Sequence, residues 1–236
     1  GDSVWRAPTP IAARRSVDPR FGDLAAFGAP VEATSELRLR LVADLVRENS
    51  PPIHRPDRLR LALDRTLQTT PFDAAAVQEA VRHLLATRAE TAWSLGHHDV
   101  SRAVTRYGGG ATGLARSRWM ALGTLALPGT AHVYQGEELG LADGDLPSEA
   151  RARVPLPWEG GPPGYGFTTG EPWLAAPADY GEQTVALQLE DTTSTLSLYR
   201  RAIELRGPPV PAPPAPLARC SAPAGPPAAP ARGPAP

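Results

Sequence analysis

The chain has 236 residues, with 24 basic side chains other than histidine, all of them arginine, against 25 acidic ones, for a formal net charge of −1. Because the two signs are interleaved, no basic face offers itself to nucleic acid and no polybasic stretch to anionic lipid, so neither partner is expected. Cys220 is the only cysteine, which excludes an internal disulfide framework and a CxxC metal or redox site.

In chain order, short apolar runs suited to strands alternate with helical periods, the pattern of βα units. The run from Leu39 to Val46 predicts a strand. Pro71, Phe72 and Asp73 open a helix with Asp73 as its N-cap, and Ala76, Val77, Ala80, Val81, Leu84 and Leu85 recur at helical spacing behind it. Thr91 to Leu95 predicts a strand that ends in the polar turn Gly96, His97, His98, Asp99 and leads to a glycine-rich loop at Gly108 to Gly110. Leu114 to Leu127 is apolar enough for a mostly buried helix, stopped by Pro128 and Gly129. Ala131 to Tyr134 predicts another strand, followed by the polar run Gln135 to Glu138 and a long loop rich in proline, glycine and tryptophan. Leu196 to Leu205 predicts an amphipathic helix.

The apolar stretch from Trp119 to Val133 is interrupted by Pro128 and is too short to cross a bilayer, so no membrane span is expected. No charged segment followed by an apolar core precedes a cleavage-like site, and a cytoplasmic location is the expectation. From Gly207 onward prolines are too dense for helix or central strand and large apolar residues almost vanish. Two units are therefore expected, an ordered 1–206 and a disordered, partly polyproline-like tail at 207–236. The tail reads either as a flexible extension or as an out-of-frame translation of GC-rich DNA, which favours the same arginine, proline, alanine and glycine.

Polar residues just past the ends of parallel strands are where an α/β barrel places its chemistry. Two such turns carry recognisable wording. TAWSLGHHDVSRAVTRYG resembles the segment of α-glucosidases and related α-amylase-superfamily enzymes in which a strand ends in Asn-His-Asp; His98 and Asp99 match, and His97 stands where the family has Asn. LALPGTAHVYQGEELGL resembles the next strand and its Tyr-x-Gly-Glu-Glu turn. RVPLPW, PWLAAPADY and STLSLYRRAIELR continue the likeness in the family's order, while TPFDAAAVQEAV and RPDRLRLALDRTLQ resemble the helix and strand that precede it. VDPRFGDLAAF and LRLRLVADLV are similar to an earlier helix and the third barrel strand, with Asp44 at the strand-end aspartate, and GDSVW resembles the second strand. The resemblance implies an α/β fold, an incomplete (β/α)8 TIM-type barrel with about five of the usual eight strands.

The likeness breaks at three places. After Pro10 the family's substrate-gripping loop is missing, and a shorter break lies between Ala150 and Arg153. The third follows Ser50: the wording jumps to RPDRL, skipping the fourth and fifth strands, which in the family carry the nucleophilic aspartate and the acid/base glutamate. A retaining glycosidase needs both carboxylates, held about 5–5.5 Å apart. Asp64 and Glu48 sit in no wording that matches a catalytic strand and are not taken as replacements. By resemblance Asp99 is the family's third acid, which binds sugar hydroxyls and stabilises the transition state, and His98 binds the same sugar.

This leaves three functional expectations. The first is an α-glucosidase-like hydrolase of α-linked glucosides or oligosaccharides, inactive for want of the carboxylate pair. The others are a non-catalytic carbohydrate- or partner-binding pseudoenzyme, and a non-functional interrupted reading frame. No cofactor is expected. His97, His98 and Asp99 together have metal-ligand chemistry, but adjacent side chains on an extended turn are expected to point apart, so no metal is expected there. The family likeness implies a possible calcium site, for which the sequence shows no ligands. Glu137 and Glu138 have spacing suited to acid/base work, but the likeness makes them part of a structural turn. Tyr134, Trp158 and Trp173 are expected to anchor core or loops rather than stack on sugars. Arg102 and Arg106 are expected to be solvated or paired with acids. Losing adjacent barrel strands leaves open edges and bare apolar faces, so the remaining elements are expected to rearrange, associate or pack loosely, with marginal solubility.

Overall fold

The computed structural model describes residues 61–87, 91–147 and 150–207, together with 42–44 and scattered positions between 26 and 39. The opening GDSVW run, Glu48 and the tail from residue 208 lie outside the described residues, as does nearly all of VDPRFGDLAAF.

Four short parallel strands form one sheet in chain order: β1 (Val42–Asp44), β2 (Leu61–Asp64), β3 (Thr91–Ser94) and β4 (Thr130–His132). Asp44 stands opposite Leu63, Asp64 opposite Trp93, and Ser94 opposite His132. Parallel neighbours need a crossover. Between β2 and β3 it is made by α1 (Thr66–Thr69) and α2 (Ala74–Thr87), and between β3 and β4 by α3 (Ala103–Arg106) and α4 (Gly110–Ala126). Behind β4 a long irregular stretch contains a 3-10 turn (Ala178–Glu182) and ends in α5 (Val185–Glu190) and α6 (Thr195–Arg206).

The pairing of β1 with β2 spans the break after Ser50. The strand ending in Asp44 is hydrogen-bonded directly to the strand of the RLALD run, so the ladder satisfies backbone groups that a missing pair of strands would leave bare. Of the outcomes expected for a barrel lacking strands, this is rearrangement.

Local chemistry explains the helices. Asp73 Oδ1 accepts the N–H of Ala76 at 2.9 Å, and Val77, Ala80, Val81 and Leu85 on α2 pack on the core. Ser194 caps α6 through the N–H of Ser197 at 3.1 Å, and Gly207, at φ 64°, ends it in a conformation that favours glycine. The main core joins Leu67, Trp93, Leu95, Tyr107, Met120, Leu125 and Tyr199. Trp93 also donates its indole N–H to the carbonyl of Pro128 at 2.6 Å. A second cluster of Leu139, Leu141, Val154, Tyr165 and Tyr180 fills the space under the long loop.

Several elements differ from expectation. The helix expected from Leu114 begins at Gly110 and is less buried than its composition suggests: Met120, Ala121 and Leu125 are inside, but Trp119 is 55 % exposed. Only one face of α4 packs on α3 and α6. The short α1 and α5 and the 3-10 turn have too few residues to show a hydrophobic period. β3 and β4 are each one residue shorter than the expected runs, because pairing partners, not composition, end a strand.

The α3–α4 contact leaves no room for a side chain at Gly113, where a Cβ would sit 2.1 Å from the carbonyl oxygen of Val104. Gly113→Ala is expected to lower stability by about 2 kcal/mol through forced separation of the helices, read as a lower urea midpoint. An unchanged midpoint would show that α3 shifts freely.

Candidate functional site

The carboxyl end of β3 is held from below and from the side. Asp64, closing β2, accepts the N–H of Thr66 at 2.8 Å and so starts α1. From α1, Gln68 donates to Ser94 Oγ at 3.0 Å and to the carbonyl of Gly96 at 3.2 Å, and Ser94 Oγ donates to the same carbonyl at 2.7 Å. Gly96 must lack a side chain, because a Cβ would lie 2.9 Å from both Glu137 Oε2 and Tyr134 Cβ. These contacts launch the chain into His97, His98 and Asp99 in one fixed direction.

The three side chains converge, correcting the expectation that neighbours on this turn diverge. His97 is buried, its Nε2 2.8 Å from Arg65 Nη2 and its Nδ1 3.6 Å from Asp99 Oδ2. His98, exposed, places Nε2 3.2 Å from that same oxygen, and the two imidazole centroids are 3.8 Å apart. The N–H of Asp99 folds back on His97 Nδ1 at 3.2 Å, closing a tight turn that brings side chains at consecutive positions to one side. One ligand atom from each residue lies within 4.8 Å of the other two. Asp99 Oδ1 is taken by Arg153 Nη2 at 2.5 Å, and Arg153 Nε reaches the carbonyl of His98 at 3.4 Å. Arg65 and Arg153 were not singled out from the sequence, although both lie in runs that carry the family likeness, because only folding brings their side chains to the turn.

Arg102 and Arg106 are neither solvated nor chiefly paired with acids, a second correction. Arg102 is 3 % exposed and donates to the carbonyls of Gln135 at 2.7 Å and Ala152 at 2.9 Å. Its backbone N–H meets Asp143 Oδ1 at 2.6 Å, and Ser101 Oγ donates to Asp143 Oδ2 at the same distance. Arg106 donates to the carbonyls of Ser101 and Leu95 at 2.6 and 2.8 Å. The guanidinium's divergent donors suit it to tie several carbonyls of irregular backbone at once.

Glu137 is enclosed between β3, β4 and α6. Its Oε1 accepts from Tyr199 Oη at 2.9 Å and its Oε2 lies 3.4 Å from the N–H of Tyr134. Burial raises its pKa from 4.5 to about 7, against the opposing effect of the Tyr199 hydrogen bond, the Tyr134 N–H and the Arg106 charge. Burial likewise raises the Glu138 carboxyl, with backbone N–H groups and Arg102 opposing. The cavity beside Glu137, lined among others by Gly96, Arg102, Tyr134 and Leu141, does not reach His98 or Asp99. Of the aromatic candidates, Tyr134 donates to the carbonyl of Ala152 at 2.8 Å as a loop anchor, whereas Trp158 and Trp173 are 47 % and 64 % exposed rather than core. Asp44 closes β1.

Calcium prefers six to eight oxygen ligands. Among the described residues the one cluster of at least three ligating side chains is the His-His-Asp triplet, whose two imidazoles do not fit that ion. Among the described residues, no helix is long and apolar enough to cross a membrane.

The family model of the alpha amylase catalytic domain matches residues 60–209. The chain belongs to the α-amylase family. A probable α-glucosidase of Rhizobium meliloti (strain 1021) is 33 % identical over 150 residues, covering 55 % of this chain and 27 % of that protein. An oligo-1,6-glucosidase of Heyndrickxia coagulans is 29 % identical, covering 58 % of this chain and 31 % of its own length. The chain thus spans about a quarter to a third of these α-amylase-family relatives. Among solved structures, the trehalose-6-phosphate hydrolase of Bacillus licheniformis superposes with a TM-score of 0.64 at 20 % identity, over 77 % of this chain and 43 % of the other, a likeness of fold. The parallel strands β2 to β4 and their crossover helices, which lie within the matched residues, are consistent with an incomplete form of the family's (β/α)8 barrel.

Proposed function

We propose that this chain carries the sugar-recognising third acid of an α-glucosidase-type site and, lacking the nucleophile and acid/base, does not hydrolyse glycosides. The observation that carries the reading is the Asp99 carboxylate at the end of β3, half-exposed, with His98 Nε2 3.2 Å away. Both groups suit hydroxyls of an α-linked glucoside, and relatives named α-glucosidase and oligo-1,6-glucosidase support that substrate class.

Asp99 would act through fixed charge placed near a developing oxocarbenium ion, but charge alone forms no bond to the anomeric carbon. The segment skipped after Ser50 is where the resemblance puts both bond-making carboxylates. Loss of a nucleophile commonly costs about 10⁴–10⁶ in rate.

The test is hydrolysis of p-nitrophenyl α-glucoside by the chain and by Asp99→Ala, beside calorimetric binding of isomaltose. The expected result is no release from either protein, with weak sugar binding to the parent that Asp99→Ala abolishes. Release that vanishes in Asp99→Ala would reveal an unrecognised carboxylate pair and overturn the non-hydrolytic reading. Absence of sugar binding would overturn the recognition reading.

A further inference from the structure

The His97 imidazole, at the position where the family has asparagine, changes what the β3 turn can hold. Asparagine offers an amide oxygen, a poor ligand for a borderline-soft ion, whereas imidazole is a preferred one. Around an ion with bonds of about 2.0–2.2 Å in tetrahedral geometry, ligand atoms lie about 3.3 Å apart. Asp99 Oδ2 is 3.6 Å from His97 Nδ1 and 3.2 Å from His98 Nε2. Two sides of the required triangle are thus near the ideal length, and the third, between the two imidazole nitrogens, is no more than 4.8 Å.

We propose that His97, His98 and Asp99 bind one divalent ion of the zinc class, through Nδ1, Nε2 and Oδ2 respectively, with water completing the shell. The proposal rests on the geometry of the triplet; since it uses His98 and Asp99, a bound ion and a sugar would compete for the same two groups.

The surroundings determine how tightly the ion is held. Arg153 occupies Asp99 Oδ1, which leaves Oδ2 turned toward the imidazoles and fixes the carboxylate, as outer partners of metal ligands do. Arg65 acts in the opposite sense. Its Nη2 donates toward His97 Nε2 at 2.8 Å, a contact that requires a lone pair on that nitrogen. A neutral imidazole has one lone pair and one N–H. When Nδ1 gives its lone pair to a metal, Nε2 carries the proton and meets the guanidinium donor to donor. With Nε2 accepting from Arg65, Nδ1 carries the ring proton and faces Asp99 Oδ2 at 3.6 Å, and that proton must leave Nδ1 before an ion binds there. Arg65 thus competes with the ion, by hydrogen bonding and by charge.

This competition gives a readout that a merely structural histidine cluster lacks. Zinc titrated calorimetrically into the metal-free full chain is expected to bind at one ion per chain. His98→Ala, at an exposed position that leaves the fold intact, and His97→Asn are each expected to weaken zinc at least tenfold. His132→Ala, an exposed histidine outside the triplet, is expected to leave it unchanged. Arg65→Gln, which replaces the competing donor with a group that itself accepts or admits an accepting water, is expected to tighten zinc by about tenfold. Far-UV circular dichroism of each variant without metal confirms that the fold is kept. Zinc binding that survives His98→Ala, the absence of one-to-one binding in the parent, or a weaker site in Arg65→Gln would each overturn the proposal.

Discussion

Arg102→Met is expected to lower the unfolding free energy by about 4 kcal/mol, a large share of the stability of an ordinary domain. The guanidinium donates to Gln135 and Ala152 carbonyls from a position 3 % exposed, and hydrogen bonds from charged donors contribute about 1.5–3 kcal/mol each. Methionine fills the space of the side chain but donates nothing. Relief from burying a charge returns part of the loss, as it does for other buried ions, but two further costs remain. Tyr134 stacks its ring 5.4 Å below the guanidinium and loses that contact. Glu138, buried nearby with Arg102 among the influences that favour its charged form, loses that support. Arg102→Lys is expected to recover less than half, since a point ammonium cannot span two divergent carbonyls. Urea denaturation measures both variants, and a loss under about 1 kcal/mol for Arg102→Met would mean that the β4 turn and the loop around Ala152 do not depend on this tie.

The second large effect concerns pH. Glu137, raised by burial to about 7, keeps its proton in the folded chain at pH values where the unfolded chain has lost it. Between about pH 4.5 and 7 the native state therefore binds more protons than the unfolded state, and stability falls as pH rises through that window. The contribution is fully present below the unfolded value of 4.5 and lost above the folded value, an interval worth about 3 kcal/mol. The raised Glu138 carboxyl adds to the same slope. Glu137→Gln keeps a partner for Tyr199 and cannot ionise, so the variant is expected to match the parent near pH 4.5 and to exceed it by about 2–3 kcal/mol at pH 8. Denaturation midpoints measured across pH 4–8 give the slope directly. A parent whose stability rises through pH 4.5–7, or a variant that retains the full slope, would place the titrating proton elsewhere.

These two residues show where sequence reading stopped. Arg102 follows Asp99 on a polar segment, and nothing local distinguishes it from an exposed arginine. Its partner Ala152 is fifty positions away. Glu137 was legible as part of a turn through the Tyr-x-Gly-Glu-Glu wording, but its burial depends on Tyr199, sixty-two positions further along. By contrast, the α2 helix could be read in place, since Asp73 caps Ala76 three residues on and the apolar period repeats every turn. The end of β3 at Ser94 was legible to within one residue from its apolar run, whereas Asp44 as a strand end and the strand within RPDRLRLALDRTLQ came only from the family likeness.

The family likeness, the alternation of strands and helices, and the position of His98 and Asp99 at a strand end were determined by the sequence itself, because motifs, caps and periodicity are relations among near neighbours. The break after Ser50 was also visible there. Only the tertiary structure decided that β1 and β2 close over that break, that Trp119 faces outward from α4, and that His97, His98 and Asp99 turn to one point between Arg65 and Arg153. Each of these depends on which distant segments pack together, and a linear pattern carries hydrophobicity and spacing but not the identity of the partner across the fold.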